Sequence, residues 1–284
     1  MSKKIVNIQL QQVIPFINWT FFFNAWRLSG NYKGIDTLCN CPACREKWLA
    51  AFYGQERLKA EEALHLYNDA KDLLTTWIAQ QAITLQAEYI FLKAHSDGSV
   101  IHAQDENGNT ILIPTLRQQT PREDGFCWAL ADFVSPKEDK IGLFALTVHG
   151  IEQLANEANS KNDAYTAILI QTLGTRLAEA TSEYLHSSLL KGQGIRPAFG
   201  YPSLPDLSLL FDIDKYLHFS DIGLSLTEHA AMIPLSSICG IYILHPQARY
   251  FLVSAISRQQ FDWYASQRDF PKEQLPKFLN VDII

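Results

Sequence analysis

Ala87-Glu88-Tyr89-Ile90-Phe91-Leu92-Lys93, Val100-Ile101-His102-Ala103-Gln104 and Thr110-Ile111-Leu112-Ile113-Pro114 are three short apolar runs. The turn-forming pairs Asp97-Gly98 and Asn107-Gly108 separate them. Glycine after Asp or Asn accepts the positive φ that a tight hairpin demands, so the runs read as consecutive strands joined by short turns. Ile141–Val148 is a further strand candidate, and Ile238–Leu244 and Tyr250–Ile256 are read as a pair bracketing a His245-Pro246 turn. Helical spacing holds on either side. From about Glu46 to Ile78, Leu58, Leu66, Leu73 and Trp77 fall among the apolar positions. A second helix is predicted from near Asn162 to about Leu190, with Ser160 and Asp163 in capping-box spacing, and a third over Gln259–Arg268. Hairpin-like strands without regular strand–helix–strand spacing predict an α+β fold: an antiparallel sheet with helices against it.

The 284 residues are enough for a substantial core, and 47% hydrophobic with 19% charged residues is ordinary globular composition. A net charge of −6 argues against nucleic acid as a partner, because phosphate binding needs clustered Lys and Arg. The chain lacks an 18-residue apolar run, so no membrane span is expected, and its first residues are too short in apolar length for a signal peptide. Five cysteines, an odd number, fit a reducing cytoplasm better than a disulfide framework. Nothing resembling a linker or repeat stands out, and a single domain over 1–284 is the expectation.

Gly194-Ile195-Arg196-Pro197-Ala198-Phe199-Gly200-Tyr201-Pro202 sets one arginine in a loop stiffened by two prolines and opened by two glycines. The guanidinium fork matches a carboxylate or phosphate, so the loop reads either as a preorganised anion clamp or as a turn with a solvated Arg. On the helix before it, Arg176, Glu179, Glu183 and His186 share one face. That stripe is either a solvated surface or the polar wall of a cleft opening toward Arg196. In the second case a carboxylate such as Glu179 holds an ammonium while Arg196 holds a carboxylate, the two charges of an amino acid. Gly192-Gln193-Gly194 follows a helix and leads into a Pro-rich loop, so it is not a dinucleotide-binding turn. P-loop and G-x-S-x-G sequences are also missing. Cys39, Cys41 and Cys44 crowd into six residues. They read as a thiol-rich inserted turn in preference to a zinc or iron–sulfur site, which His65 or Cys127 would have to complete.

Several separate motifs in one order carry a resemblance. They are the helix Asn162–His186, Gly194–Pro202, Leu226-Thr-Glu-His-Ala-Ala-Met232 and His245-Pro-Gln-Ala-Arg-Tyr-Phe251. Upstream stand Phe16-Ile-Asn-Trp-Thr-Phe-Phe-Phe23, Leu116-Arg-Gln-Gln119 and Leu130-Ala-Asp-Phe-Val-Ser-Pro136. Together they span most of residues 14–265 and resemble the C-terminal activation domain of cobalamin-dependent methionine synthase. The resemblance implies a twisted antiparallel sheet flanked by helices and binding of S-adenosylmethionine (AdoMet). In that family the domain acts after the cobalt(I) cofactor has been oxidised to cob(II)alamin. A flavodoxin-type partner returns one electron, and the AdoMet methyl group is trapped on cobalt(I).

By position, the resemblance implies that Arg196 grips the AdoMet carboxylate. It further implies that Tyr201, Tyr250 and Phe251 line the pocket beside Ala198 and Gly200, with Glu179 at its polar wall. Asn18 stands where the family usually has Asp, which holds the AdoMet amino group. Asn keeps an oxygen and loses the charge, and a charge-assisted hydrogen bond is roughly twice as strong as a neutral one. A segment of about Thr37–Phe52, carrying the three clustered cysteines, interrupts the match like an insertion. No Asp-x-His-x-x-Gly cobalt-ligand sequence occurs, so the corrinoid is expected on a separate, shortened methionine synthase reactivated in trans. The alternatives are a docking subunit without chemistry and a reactivation partner of another corrinoid methyltransferase.

Overall fold

A computed structural model describes residues 2–39, 41–121 and 125–284. The chain forms two compact units. The helical unit comprises residues 8–85 and 148–181, and the sheet unit residues 1–7, 86–147 and 182–284.

In the helical unit, α1 (Leu10–Val13) and α2 (Trp19–Ala25) precede α3 (Pro42–Leu49) and the long α4 (Gly54–Gln80). The single helix expected over Glu46–Ile78 is therefore two. α3 stops at Leu49, and Gly54 with a φ of +54° opens α4 after the break. α4 buries one stripe, including Ala60, Ala63, Leu66, Tyr67, Ala70, Leu74 and Trp77. Trp19 meets Tyr67 edge-on, with ring centroids 4.7 Å apart, and Phe22 meets Phe23 at 5.5 Å. Next come α5 (Ile151–Ser160) and α6 (Ala164–Leu190). Ser160 closes α5, while the Asp163 carboxylate accepts the Thr166 N–H at 3.0 Å at the start of α6. The predicted capping box is thus an Asp cap alone. From Ser182 onward α6 counts with the sheet unit.

The sheet unit is built on six strands in the order β4-β3-β2-β5-β8, with β1 also pairing with β2. They are β1 (Lys4–Ile8), β2 (Thr84–Asp97), β3 (Val100–Gln104), β4 (Thr110–Pro114), β5 (Asp139–His149) and β8 (Ser237–Ile243). β2 with β3 and β3 with β4 are antiparallel, as the hairpin signals require, and β5 with β8 is antiparallel across a long connection. The ladder β6 (Ser225–Leu226) with β7 (Met232–Ile233) and the parallel pair β9 (Ala255–Ile256) with β10 (Asp282–Ile283) complete the strands. Tyr250–Ile256 is therefore not the partner of Ile238–Leu244. The chain turns at His245, the Ala248 N–H bonds the His245 carbonyl at 3.0 Å, and only Ala255 and Ile256 enter a ladder.

All seven residues of β8 are buried, and its unbroken apolar run is what a strand covered on both faces needs. α7 (Leu209–Leu217) and α8 (Arg258–Ser266) supply Leu210, Ile213, Leu217, Phe261 and Tyr264 to the same core as Ile141, Leu143 and Ile241. Among the described residues no helix is long and apolar enough to cross a membrane.

Candidate functional site

The Pro/Gly loop continues the sheet beyond β8. The Ile195 N–H donates to the Ile243 carbonyl at 2.9 Å, and the Ile243 N–H returns a bond to Ile195 at 3.0 Å. Ile241 donates to the Pro197 carbonyl at 3.0 Å and Phe199 to Cys239 at 3.0 Å. In extended backbone successive side chains alternate sides. Ile195 is buried and Arg196 is left half-exposed. Two glycines permit this approach. A Cβ on Gly240 would stand 2.5 Å from the Pro197 carbonyl oxygen, and one on Gly194, whose φ is +72°, would stand 2.0 Å from the Ile243 oxygen.

Arg196 is held from three directions. Its Nε and one terminal nitrogen donate to Glu183 Oε2 at 3.2 and 2.8 Å, and the other donates to Ser182 Oγ at 2.8 Å. Its backbone N–H donates to the Tyr250 hydroxyl at 3.0 Å. The arginine side chain is 17% exposed and that of Glu183 47%, so the charge pair sits at a rim that solvent reaches. Ser182 and Glu183 occupy the last turns of α6, directly ahead of the loop. The guanidinium fork is thereby fixed in one plane before any ligand arrives.

Beneath this cluster lies Tyr242 of β8, fully buried and stacked between Phe144, at 4.6 Å, and His186, at 5.8 Å. Its hydroxyl has no hydrogen-bond partner among the described residues. Burial pushes the phenol well up from its ordinary range, with the Arg196 charge opposing, and Glu183 and Tyr250 are among its charged and polar neighbours. A buried, unpartnered hydroxyl is costly, and this one lies within range of the Arg196 charge. His186 bonds the Gln193 carbonyl through Nε2 at 2.9 Å and is buried. It anchors the start of the loop and is not part of an exposed polar wall.

The other predicted positions divide. Tyr201 and Tyr250 are 46% and 58% exposed and offer their ring faces on the surface of the sheet unit. The Phe251 ring is buried in the core, which leaves its backbone as what it can present. Ala198 is buried, and Gly200 donates to Leu204 at 2.8 Å while its carbonyl accepts from the Asn280 amide at 2.9 Å. Asn18 and Glu179 fall in the helical unit. There Asn18 caps α2, its Oδ1 accepting the Phe21 N–H at 3.2 Å, and Glu179 is half-buried on α6.

The sequence puts Glu183 on the same stripe as Glu179, the acid read as facing a ligand ammonium, but singles out neither Glu183 as the partner of Arg196 nor Ser182 and Tyr242. For Glu183 and Ser182 the available signal was their place about two turns before the helix end. For Tyr242 it was a lone phenol inside a strand whose other polar side chain, Ser237, stands at its start. Elsewhere in the sheet unit a cavity of about 540 Å³ is lined by Lys93, Lys140, Gln104, Asp105 and Glu106, and it contains none of the predicted residues.

In the helical unit the sulfurs of Cys39, Cys41 and Cys44 all lie within 4.8 Å of one another. Hydrogen bonds from Cys44 hold the Cys41 thiol down at about 7, and the same pairing pushes Cys44 up to about 11. His65 is not in this group.

With this geometry in place, comparisons with known proteins are specific. Residues 9–269 match the family described as vitamin B12 dependent methionine synthase, activation domain. The chain is also similar to a crystal structure of the MetH reactivation domain bound to AdoHcy, with 29% sequence identity and a TM-score of 0.84. That alignment covers 99% of this chain and 90% of the other.

Proposed function

We propose that this chain, which belongs to the activation-domain family of vitamin B12-dependent methionine synthase, binds AdoMet and supports reductive methylation of oxidised cobalamin held by a separate methionine synthase. A flavodoxin-type donor is the partner that supplies the electron. Bound AdoMet contributes an electrophilic methyl group, the reduced cobalt of the partner's cobalamin takes it, and AdoHcy is released. The protein's own work is binding, orientation and exclusion of water.

The observation that carries this reading is the fixed Arg196. Glu183 and Ser182 set the plane of its guanidinium, the Ile195–Phe199 ladder fixes its backbone, and the exposed rings of Tyr250 and Tyr201 follow in the same unit. A ligand carboxylate is the group that such a fork is shaped to receive. Kinship to a domain whose crystal structure holds AdoHcy supports the choice of ligand.

One observation favours a second reading. The Asn18 side-chain oxygen serves as the α2 cap, and Asn lacks the charge that the family's usual Asp brings to the AdoMet ammonium. A docking subunit that binds AdoMet weakly is the alternative.

Calorimetric titration with AdoMet separates the two. Arg196→Ala is expected to weaken binding by roughly 2 kcal/mol, within the range for hydrogen bonds to a charged group. If the wild type binds nothing at millimolar AdoMet while a cobalamin-containing methionine synthase still co-purifies with it, the docking reading replaces ours.

A further inference from the structure

The segment Thr37–Phe52, insertion-like by sequence, carries three cysteines that the AdoMet reading leaves unused. Cys39, Cys41 and Cys44 are separated in sequence by one and two residues, yet their three sulfurs converge to within 4.8 Å of one another. Cys39 is exposed and Cys44 half-buried, so the group opens to solvent on one side. The backbone turns so that the Cys41 N–H donates to Cys39 Sγ at 3.3 Å and the Cys44 N–H donates to Cys41 Sγ at 3.3 Å. Cys41 is the N-cap of α3, with Pro42 as its first residue. Amide donors and a helix start both favour negative sulfur there. The next residue after the third thiol is Arg45, whose buried Nε–H has no hydrogen-bond partner among the described residues.

A second observation says why such a centre is needed. α3 is eight residues long and buries only Leu49. A helix this short is marginal in water, and in proteins it persists through the face it buries. One buried leucine, with Trp48 bonding the Lys33 carbonyl at 3.1 Å and its ring 4.9 Å from Phe52, is a thin anchorage. Small elements with too little core are commonly held by a staple, either a disulfide or a metal.

We propose that Cys39, Cys41 and Cys44 bind one Zn2+ ion as a three-thiolate site, with water or a small exogenous ligand in the fourth position, and that this ion ties α3 to the loop before it. A tetrahedral ion with zinc–sulfur bonds of about 2.3 Å places its sulfurs about 3.8 Å apart. The observed triangle reaches that by small side-chain rotations. Ligands on separate irons of an iron–sulfur cluster stand farther apart, so one ion fits these sulfurs better than a cluster. Binding converts three thiols to thiolates and releases up to three protons, with no oxidation or reduction.

The full chain, purified anaerobically under reducing conditions, is equilibrated with Zn2+, stripped of excess metal by gel filtration and assayed for zinc. About one zinc per chain is expected for the wild type and for Cys127→Ser. Below about 0.2 is expected for Cys39→Ser, Cys41→Ser and Cys44→Ser, each of which removes one of three ligands. Co2+ added to metal-free wild type gives a readout that needs no variant: a thiolate-to-cobalt charge-transfer band with the visible bands of tetrahedral cobalt. Chelation is expected to speed proteolytic cleavage within 37–52 without changing the far-ultraviolet circular dichroism of the rest. Less than about 0.2 zinc in the loaded wild type overturns the proposal. So does retention of zinc by a variant lacking all three cysteines, recovery of iron with acid-labile sulfide, or a Cys41–Cys44 disulfide that persists under reduction.

Discussion

Gly192 and Gly194 are two residues apart, both left-handed, with φ of +73° and +72°, and they are expected to respond very differently to alanine. A Cβ at Gly192 meets nothing within 4 Å, so Gly192→Ala carries only the backbone penalty of an L-residue in that region, about 1 kcal/mol. At Gly194 the same penalty applies, and the new Cβ also stands 2.0 Å from the Ile243 carbonyl oxygen and 3.0 Å from the Leu244 Cα. Ordinary contact requires the loop to retreat by more than an ångström. That breaks the reciprocal Ile195–Ile243 pair, now at 2.9 and 3.0 Å. Each bond contributes about 1 kcal/mol net, and the buried groups it leaves unpaired add at least about as much again. Gly194→Ala is therefore expected to cost about 5 kcal/mol against about 1 for Gly192→Ala. Urea unfolding followed by circular dichroism measures both. Because Arg196 lies two residues on, AdoMet affinity is expected to fall in Gly194→Ala and to hold in Gly192→Ala. Two variants equal in stability within about 0.5 kcal/mol, a typical error of such comparisons, would refute the claim that this ladder fixes the loop.

Two further perturbations test the frame around the site. Glu88 is fully buried against Lys3 Nζ at 3.2 Å, and burial pushes its carboxyl up from 4.5 to about 7 in spite of that cation. Folding thus favours its protonated form, and wild-type stability falls as pH rises from about 4.5 to 7. Glu88→Gln removes that dependence, so its stability relative to wild type should rise by up to about 3 kcal/mol over the same window in denaturant melts. A difference independent of pH would rule out Glu88 as the titrating group. Asp206 accepts from buried Arg268, from Tyr264 Oη at 2.6 Å and from Ser208 Oγ at 2.7 Å. Asp206→Asn leaves that guanidinium short of a charge and is expected to cost about 3–5 kcal/mol, with Arg268→Met on the same background recovering a measurable part.

What was legible in the sequence follows from the range of the forces involved. β3 and β4 appear at the residues where alternation and Asn-Gly or Asp-Gly turns place them, because hairpin pairing is local. Tyr250–Ile256 has the same β-rich composition, yet most of it forms no ladder. The position beside β8 that a hairpin would give it is taken by Ile195–Phe199, more than fifty residues earlier in sequence. Periodicity cannot report that competition, since both segments read as extended.

The acid at Arg196 turned on a similar distinction. Glu179 and Glu183 are four residues apart on one helix face, equivalent by any count of turns. What separates them is where the loop returns. Gly194 bends the chain back just past the helix end, and the arginine two residues later bonds Glu183 and Ser182. Ser182 and Glu183 thus hold the fork, so Glu183 orients Arg196, and under our proposal the ligand's carboxylate falls to the arginine itself.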